Sequence, residues 1–156
     1  MALDGRTVAV AESLTAGDVS GALATVPGVS AILRGGVVAY SHEIKISLLG
    51  EDPDLIAAGG TVQPEVAQQM ARGVAERLGA QFGIGTTGVV GPGSAEGHAA
   101  GECFVAAVDL ENGVGVVEHL LLEGDRDEVR RACSEAALEI CARLAEQTRP
   151  LGRYTE

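Results

Sequence analysis

The sequence predicts an α/β protein, a three-layer α/β/α sandwich with a mixed, mainly parallel sheet that includes one hairpin. Short apolar runs of strand length alternate with longer segments in which apolar residues recur every three or four positions, as in amphipathic helices. Glycine is frequent, at 22 residues, and much of it lies in short turns between these segments. Asn112-Gly113 separates two apolar runs, which is a strong hairpin signal.

The first strand is predicted over 6–11, and the small and polar residues after it open a helix over 17–25 that Pro27 ends. Thr15, with Asp18 three positions later, is a loose capping-box pattern for the start of this helix.

The later helices each begin at a residue suited to that position. Ser41 is an N-cap residue, Pro64 suits the first helical position, and Asp125 with Glu128 forms a capping-box pattern. These helices alternate with strands, so helices are expected on both faces of the sheet. The remaining strands are predicted over 36–40, 81–86, 101–110 and 114–122.

Length and charge narrow the classes of function. At 156 residues, a single domain over 1–156 is expected. The net charge of −11 would repel nucleic acid over most of the surface, and no apolar stretch reaches membrane-spanning length. The three cysteines, Cys103, Cys133 and Cys141, are an odd set without a C-x-x-C motif, so we expect reduced thiols, no structural zinc and a cytoplasmic protein.

Ser13 stands at the end of the first strand, directly before the predicted helix. Its hydroxyl would face backbone N–H groups that can stabilise an anion or a developing oxyanion, although a turn capped by hydroxyl residues is the alternative. No histidine accompanies a serine in a triad pattern, so a serine nucleophile needs another base, and lysine is the available one.

Lys45 is the only lysine in the chain and lies one turn into the helix that begins at Ser41. To act as a base near neutral pH, its pKa must fall by about 3 units. Burial can lower it that far, with Tyr40 hydrogen-bonding the neutral amine. The alternative is a solvated lysine on a short surface helix.

Two further features are compatible with anion binding. The glycine-rich loop over 88–93 can hold a phosphate through backbone N–H groups, or it can be a structural turn. Arg126 lies in the first turn of the last helix, where a cation opposes the helix dipole. A bound anion would explain this arginine, and so would an ion pair with Asp or Glu.

Five sequence blocks together resemble the CinA C-terminal domain family, whose active members are nicotinamide mononucleotide deamidases. The resemblance runs from Thr7 to about Leu144, with the blocks in the family's order and spacing. In chain order the blocks are Ala11-Glu-Ser-Leu-Thr-Ala-Gly17, Pro27-Gly-Val-Ser-Ala31, Gly35-Gly-Val-Val-Ala-Tyr-Ser-His-Glu-Ile-Lys45, Thr87-Gly-Val-Val-Gly-Pro-Gly93 and Gly124-Asp-Arg-Asp-Glu-Val-Arg130.

The resemblance implies an amide hydrolase of pyridine nucleotide salvage, which converts nicotinamide mononucleotide to nicotinic acid mononucleotide and ammonia without a metal or cofactor. It implies Ser13 as the nucleophile, Lys45 as the general base and Tyr40 as support for Lys45. Ser30 and Ser41 also fall in family blocks and are alternative nucleophiles. The residues that the resemblance places around the nucleotide are Thr15, Gly17, Ser30, Thr87, Gly88, Gly91, Gly93, Arg126 and Arg130.

The sequence also departs from the family pattern. Leu14 replaces a cysteine, Ala16 a glycine, His42 an asparagine, and Ala99-Ala-Gly-Glu102 a P-x-G-T segment. Ala16 adds a methyl group at a turn where positive φ is expected. The alternative function is therefore a catalytically degenerate nucleotide-binding or oligomeric interaction module. In both cases we expect a small-molecule nucleotide as ligand and a homo-oligomer, most simply a dimer, with no nucleic acid or membrane partner.

Overall fold

The computed structural model describes residues 3–150, and in them the predicted mixed sheet has five strands in the order β2-β1-β3-β4-β5. The strand β1 pairs in parallel with both β2 and β3, whereas β3–β4 and β4–β5 are antiparallel. The predicted hairpin is therefore confirmed, as β4 and β5. The strands are β1 Val8–Glu12, β2 Leu33–Val38, β3 Phe82–Gly88, β4 Glu102–Asp109 and β5 Val114–Leu121.

Helices cover both faces of the sheet, as the alternating pattern predicts. One core lies between the sheet and the helices α1 and α5, and a second core lies between the sheet and α2, α3 and α4. The helices are α1 Asp18–Ala24, α2 His42–Leu49, α3 Pro53–Gly59, α4 Pro64–Leu78 and α5 Arg126–Gln147, with a short 3₁₀ turn at Val29–Ala31.

The side chains of the central strands are larger on one face of the sheet than on the other. Along β1, Val10 belongs to the core beneath α1 and α5, whereas Ala11 belongs to the core beneath α4. On β3, a Cβ atom at Gly85 would collide with the backbone oxygen of Ala67 in α4. Small residues on this face therefore let α4 pack directly against the strand backbone.

Two element predictions need correction. The strand predicted over 36–40 begins at Leu33, which pairs with Val8, and it ends at Val38, so Tyr40 lies after the strand. The helix α3 was not predicted, although its Asp52 N-cap and Pro53 were the available signal. A seven-residue helix offers too little apolar periodicity to be recognised.

The helix caps at Ser41 and Asp125 are confirmed. The Ser41 hydroxyl accepts a hydrogen bond from the backbone of Ile44, and Asp125 with Glu128 forms a full capping box. The three cysteines are buried free thiols, as expected. Within residues 3–150, no helix combines the length and apolar character needed to cross a membrane.

Candidate functional site

A cleft of about 480 Å³ opens at the carboxyl ends of β1 and β3. In open α/β sheets, ligands bind at this edge. Residues from separate parts of the chain line the cleft: Ser13 after β1, Tyr40 and His42 around the start of α2, and Arg126 at the start of α5. The glycine-rich loop forms another wall, through residues that include Gly88, Gly91 and Gly93.

Ser13 lines this cleft, and buried Lys45, which does not line it, contacts Ser13. The Lys45 Nζ lies 2.9 Å from the Ser13 Oγ, and both side chains are buried. Lys45 is only 1% exposed, so the alternative of a solvated surface lysine is wrong. The structure thus brings together the two residues for which a nucleophile and base were predicted.

Two backbone carbonyl oxygens hold the Lys45 amine in place. Its Nζ donates to the oxygen of Ala39 at 2.7 Å and to that of Tyr40 at 3.3 Å. Tyr40 therefore contacts the amine through its backbone, whereas its phenol is exposed and faces the cleft. The Lys45 nitrogen has three positions besides its bond to carbon. Two of them point to these oxygens, so the third points to the Ser13 Oγ.

Burial lowers the pKa of Lys45 to about 8, against upward electrostatic effects of Glu51 and Glu96. Desolvation has this direction because it disfavours the charged ammonium. A lysine with this pKa is partly deprotonated near neutral pH, whereas an ordinary lysine is almost fully charged. The amine can therefore accept the proton of a neighbouring hydroxyl.

Glu12, the last residue of β1, binds the N-terminus of α1. Its buried carboxylate accepts hydrogen bonds from the backbone N–H groups of Val19 and Ser20 and from the hydroxyls of Thr15 and Ser20. The predicted capping box of Thr15 and Asp18 is wrong, because the N-cap is Gly17 and makes no side-chain hydrogen bond. The protein's own carboxylate thus uses two of the N–H groups that were expected to stabilise a bound anion.

Thr15 and Thr86 fix the backbone beneath the nucleophile. Their hydroxyl oxygens lie 2.9 Å apart, and the Ser13 N–H donates to the Thr86 carbonyl oxygen at 3.1 Å. Thr15 is fully buried, so it supports the turn without lining the cleft. Ala16 in the same turn has φ of +48°, which confirms that the turn uses a left-handed conformation.

Arg126 connects the glycine-rich loop to the opposite side of the cleft. Its Nη1 donates to the Gly91 carbonyl oxygen at 2.6 Å, and its Nη2 lies 3.5 Å from the Tyr40 hydroxyl. The guanidinium group therefore stands at the cleft and orders the loop, without an ion pair to any acidic residue in 3–150.

Glu96 anchors the segment that follows the glycine-rich loop. It accepts hydrogen bonds from the backbone and hydroxyl of Thr61 and lies 2.7 Å from the His42 Nε2. Burial raises the pKa of Glu96, but the hydrogen bonds from Thr61 and His42 outweigh this effect and lower it. Glu96 and Thr61 were not among the predicted site residues, because nothing in the local sequence indicates that these two loops meet.

Several residues predicted to contact the nucleotide lie outside the cleft. Thr87 is buried and donates to the Thr61 carbonyl oxygen. Arg130 forms an ion pair with Asp18 at 3.0 Å in a separate groove between α1 and α5. The remaining residues outside the cleft are Thr15 and Gly17 in the β1–α1 turn and the exposed Ser30 in the 3₁₀ turn.

Comparisons with curated proteins identify one family. A family model described as the CinA C-terminal domain matches residues 1–145. A CinA-like protein from Frankia casuarinae is 42% identical over 138 residues, which are 88% of this chain and 31% of that protein. A CinA-like protein from Chlorobaculum tepidum is 43% identical over 145 residues, covering 90% and 34% respectively. The chain spans about one third of the length of these relatives.

Solved structures share the fold along most of the chain. A competence/damage inducible protein, CihA, from Agrobacterium tumefaciens has a TM-score of 0.85 at 34% identity, covering 90% of this chain and 86% of that chain. A CinA superfamily protein from Escherichia coli has a TM-score of 0.86 at 26% identity, covering 92% of this chain and 83% of that chain.

Proposed function

Because this chain belongs to the CinA C-terminal domain family, we propose that it hydrolyses the carboxamide of nicotinamide mononucleotide, releasing ammonia and nicotinic acid mononucleotide. The observation that carries the proposal is the 2.9 Å contact between Lys45 Nζ and the Oγ of Ser13, which lines the cleft. A buried lysine with a lowered pKa beside a serine hydroxyl is the arrangement that a Ser/Lys amidohydrolase requires.

The first half of the reaction forms an acyl-enzyme. Neutral Lys45 accepts the Ser13 hydroxyl proton as the Oγ attacks the carboxamide carbon, which gives a tetrahedral intermediate. The carbon–nitrogen bond then breaks, and the Lys45 ammonium donates its proton to the departing amine. Ammonia leaves, and the nicotinoyl group remains as an ester of Ser13.

The second half returns the enzyme to its starting state. Neutral Lys45 accepts a proton from water as the water oxygen attacks the ester carbon. The ester bond to Ser13 breaks, its oxygen recovers the proton from Lys45, and nicotinic acid mononucleotide leaves as the carboxylate after its new carboxyl group releases a proton to solvent. The carbonyl oxygens of Ala39 and Tyr40 hold the amine at the same place through both halves.

Substrate binding is assigned to the other walls of the cleft. The loop over 88–93 offers backbone N–H groups for a phosphate, and Arg126 offers a guanidinium group that donates to Gly91 and, at 3.5 Å, to the exposed Tyr40 hydroxyl, without an acidic partner in 3–150. In a chain with a net charge of −11, such local donors are needed to hold an anionic nucleotide.

The proposal is tested by measuring ammonia release from nicotinamide mononucleotide by the purified wild-type protein. We expect turnover that yields one ammonia for each nicotinic acid mononucleotide formed. Nicotinamide riboside, which lacks the phosphate, serves as the matched substrate and should react more slowly. Tight binding of nicotinamide mononucleotide without turnover would favour the degenerate nucleotide-binding module, and Leu14, which lines the cleft beside Ser13, would be the first residue to restore to cysteine.

A further inference from the structure

Glu51 is a buried carboxyl group with no hydrogen-bond partner for its side chain within residues 3–150. It lies between α2 and α3 and is only 2% exposed. Its backbone N–H donates to the Lys45 carbonyl oxygen at 3.2 Å, which holds the residue at the end of the helix that carries Lys45. Buried Glu12, in contrast, accepts four hydrogen bonds.

An unpartnered buried carboxyl group destabilises a fold, because neither water nor protein donors compensate for its desolvation. An apolar side chain at this position would avoid that cost. Burial raises the pKa of Glu51 to about 8, and the positive charge of Lys45 acts in the opposite direction. Lys45 and Glu51 are both buried and are joined at the end of α2 by the backbone hydrogen bond, so the charge of each group acts on the pKa of the other.

Two acidic groups act on Lys45, Glu51 from the α2–α3 connection and Glu96 from the segment that follows the glycine-rich loop. Glu96 is held by His42 and Thr61, so its charge is already balanced by other donors. Glu51 has no such partners, and Lys45 is the basic group that acts on it.

We infer that Glu51 is a positioning residue whose buried carboxyl group, acting through Lys45, sets the pH at which the lysine becomes a neutral base. The catalytic consequence rests on the proposed function, in which Lys45 accepts the Ser13 proton. As an anion, Glu51 stabilises the Lys45 ammonium and delays its deprotonation. It thereby keeps the amine basic enough to take a proton from a hydroxyl, which a more strongly depressed lysine would do poorly.

Removal of the Glu51 charge should lower the pKa of Lys45, because desolvation would act without its main opposing effect. The titration of the lysine should also become steeper. In the wild type each proton lost from one group makes loss from the other harder, which spreads the curve over two overlapping steps. In Glu51→Gln the lysine titrates as a single site.

Lys45 is the only lysine in the chain, so its titration can be observed directly. Protein labelled with ¹³C-lysine gives one Cε signal, whose shift follows the protonation of Nζ. We expect Glu51→Gln to move the midpoint by about one pH unit towards acid, the scale of a close charge. Glu51→Asp, which retains a carboxyl group, should stay nearer to the wild type than Glu51→Gln does.

Asp52→Asn is the matched control, because Asp52 is the adjacent acidic residue and caps α3 without acting on Lys45. An equal shift in this variant would assign the effect to loosening of the α2–α3 connection and overturn the role of Glu51. An unchanged midpoint in Glu51→Gln would overturn it as well. If Glu51→Gln does not fold by circular dichroism, Glu51→Met is titrated instead, with the same shift expected.

The activity measurement separates the two proposals. If the protein hydrolyses nicotinamide mononucleotide, the acid limb of kcat/KM should move in Glu51→Gln by the same amount as the NMR midpoint. If no variant hydrolyses the substrate, the proposed function fails, whereas the NMR titration still decides whether Glu51 controls Lys45.

Discussion

Ser13 Oγ and Lys45 Nζ lie within hydrogen-bond distance although 32 residues separate them along the chain. Ser13 follows β1, and Lys45 lies on the helix that follows β2, the parallel neighbour of β1. Parallel strands end at the same edge of a sheet, so the two segments meet there. The sheet topology thus creates the pair.

Replacement of the nucleophile should abolish the proposed hydrolysis. We expect Ser13→Ala to reduce kcat by at least about a thousandfold, and Lys45→Met to do nearly as much, because the two act as one unit. The double variant should be no worse than Ser13→Ala alone. Ser47→Ala, on the exposed side of α2, is the control that should retain full ammonia release. Full activity in Ser13→Ala would contradict the role of Ser13, and Ser30 and Ser41 would then be the candidate nucleophiles.

The pH dependence should follow the protonation of Lys45. Its pKa is lowered to about 8 by burial, and the neutral amine is the active form. The value of kcat/KM should therefore rise with pH, reach half its maximum near pH 8, and remain level above the titration. A profile that is already flat from about pH 6 upwards would show that deprotonation of Lys45 does not limit the reaction.

The two arginines considered for phosphate binding, Arg126 and Arg130, should differ in how much their replacement weakens nicotinamide mononucleotide binding. Arg126 stands at the cleft, and its loss should weaken nicotinamide mononucleotide binding by about tenfold, which corresponds to about 1.4 kcal/mol. Arg130→Ala should weaken it less, because Arg130 pairs with Asp18 in another groove. Calorimetry on both variants tests the difference, with the exposed Arg72→Ala as control. A larger loss in Arg130→Ala would reverse the assignment.

Glu12 should be important for stability. In Glu12→Gln, the amide nitrogen cannot accept the hydrogen bonds that one carboxylate oxygen receives from Val19 or Ser20. The buried N–H left without an acceptor should lower the free energy of unfolding by about 2 kcal/mol. Urea denaturation measures this loss, and Glu76→Gln on the exposed side of α4 should change stability by less than about 0.5 kcal/mol. Equal stability of Glu12→Gln and wild type would contradict the capping role.

Local sequence predicted much of the fold because local physics governs those features. Ser41 and Asp125 cap helices by bonding to backbone groups three residues away, so their role is readable from adjacent residues. The hairpin at Asn112-Gly113 depends on turn geometry in the same way. In contrast, Glu12 caps α1 from the preceding strand. Its carboxylate accepts a hydrogen bond from the backbone of Val19, seven residues later, and no capping pattern in the sequence has this spacing.

The sequence by itself determined the fold class and the family, and it led to Ser13 and Lys45 as the predicted nucleophile and base, since these depend on periodicity and on motifs within short segments. Only the tertiary structure decided which residues share the cleft. It placed Arg126 there and Arg130 against Asp18, and it buried the side chains of both Lys45 and Glu51. Burial and charge at these positions depend on segments that are distant in sequence, because desolvation and Coulomb energy depend on distances in space.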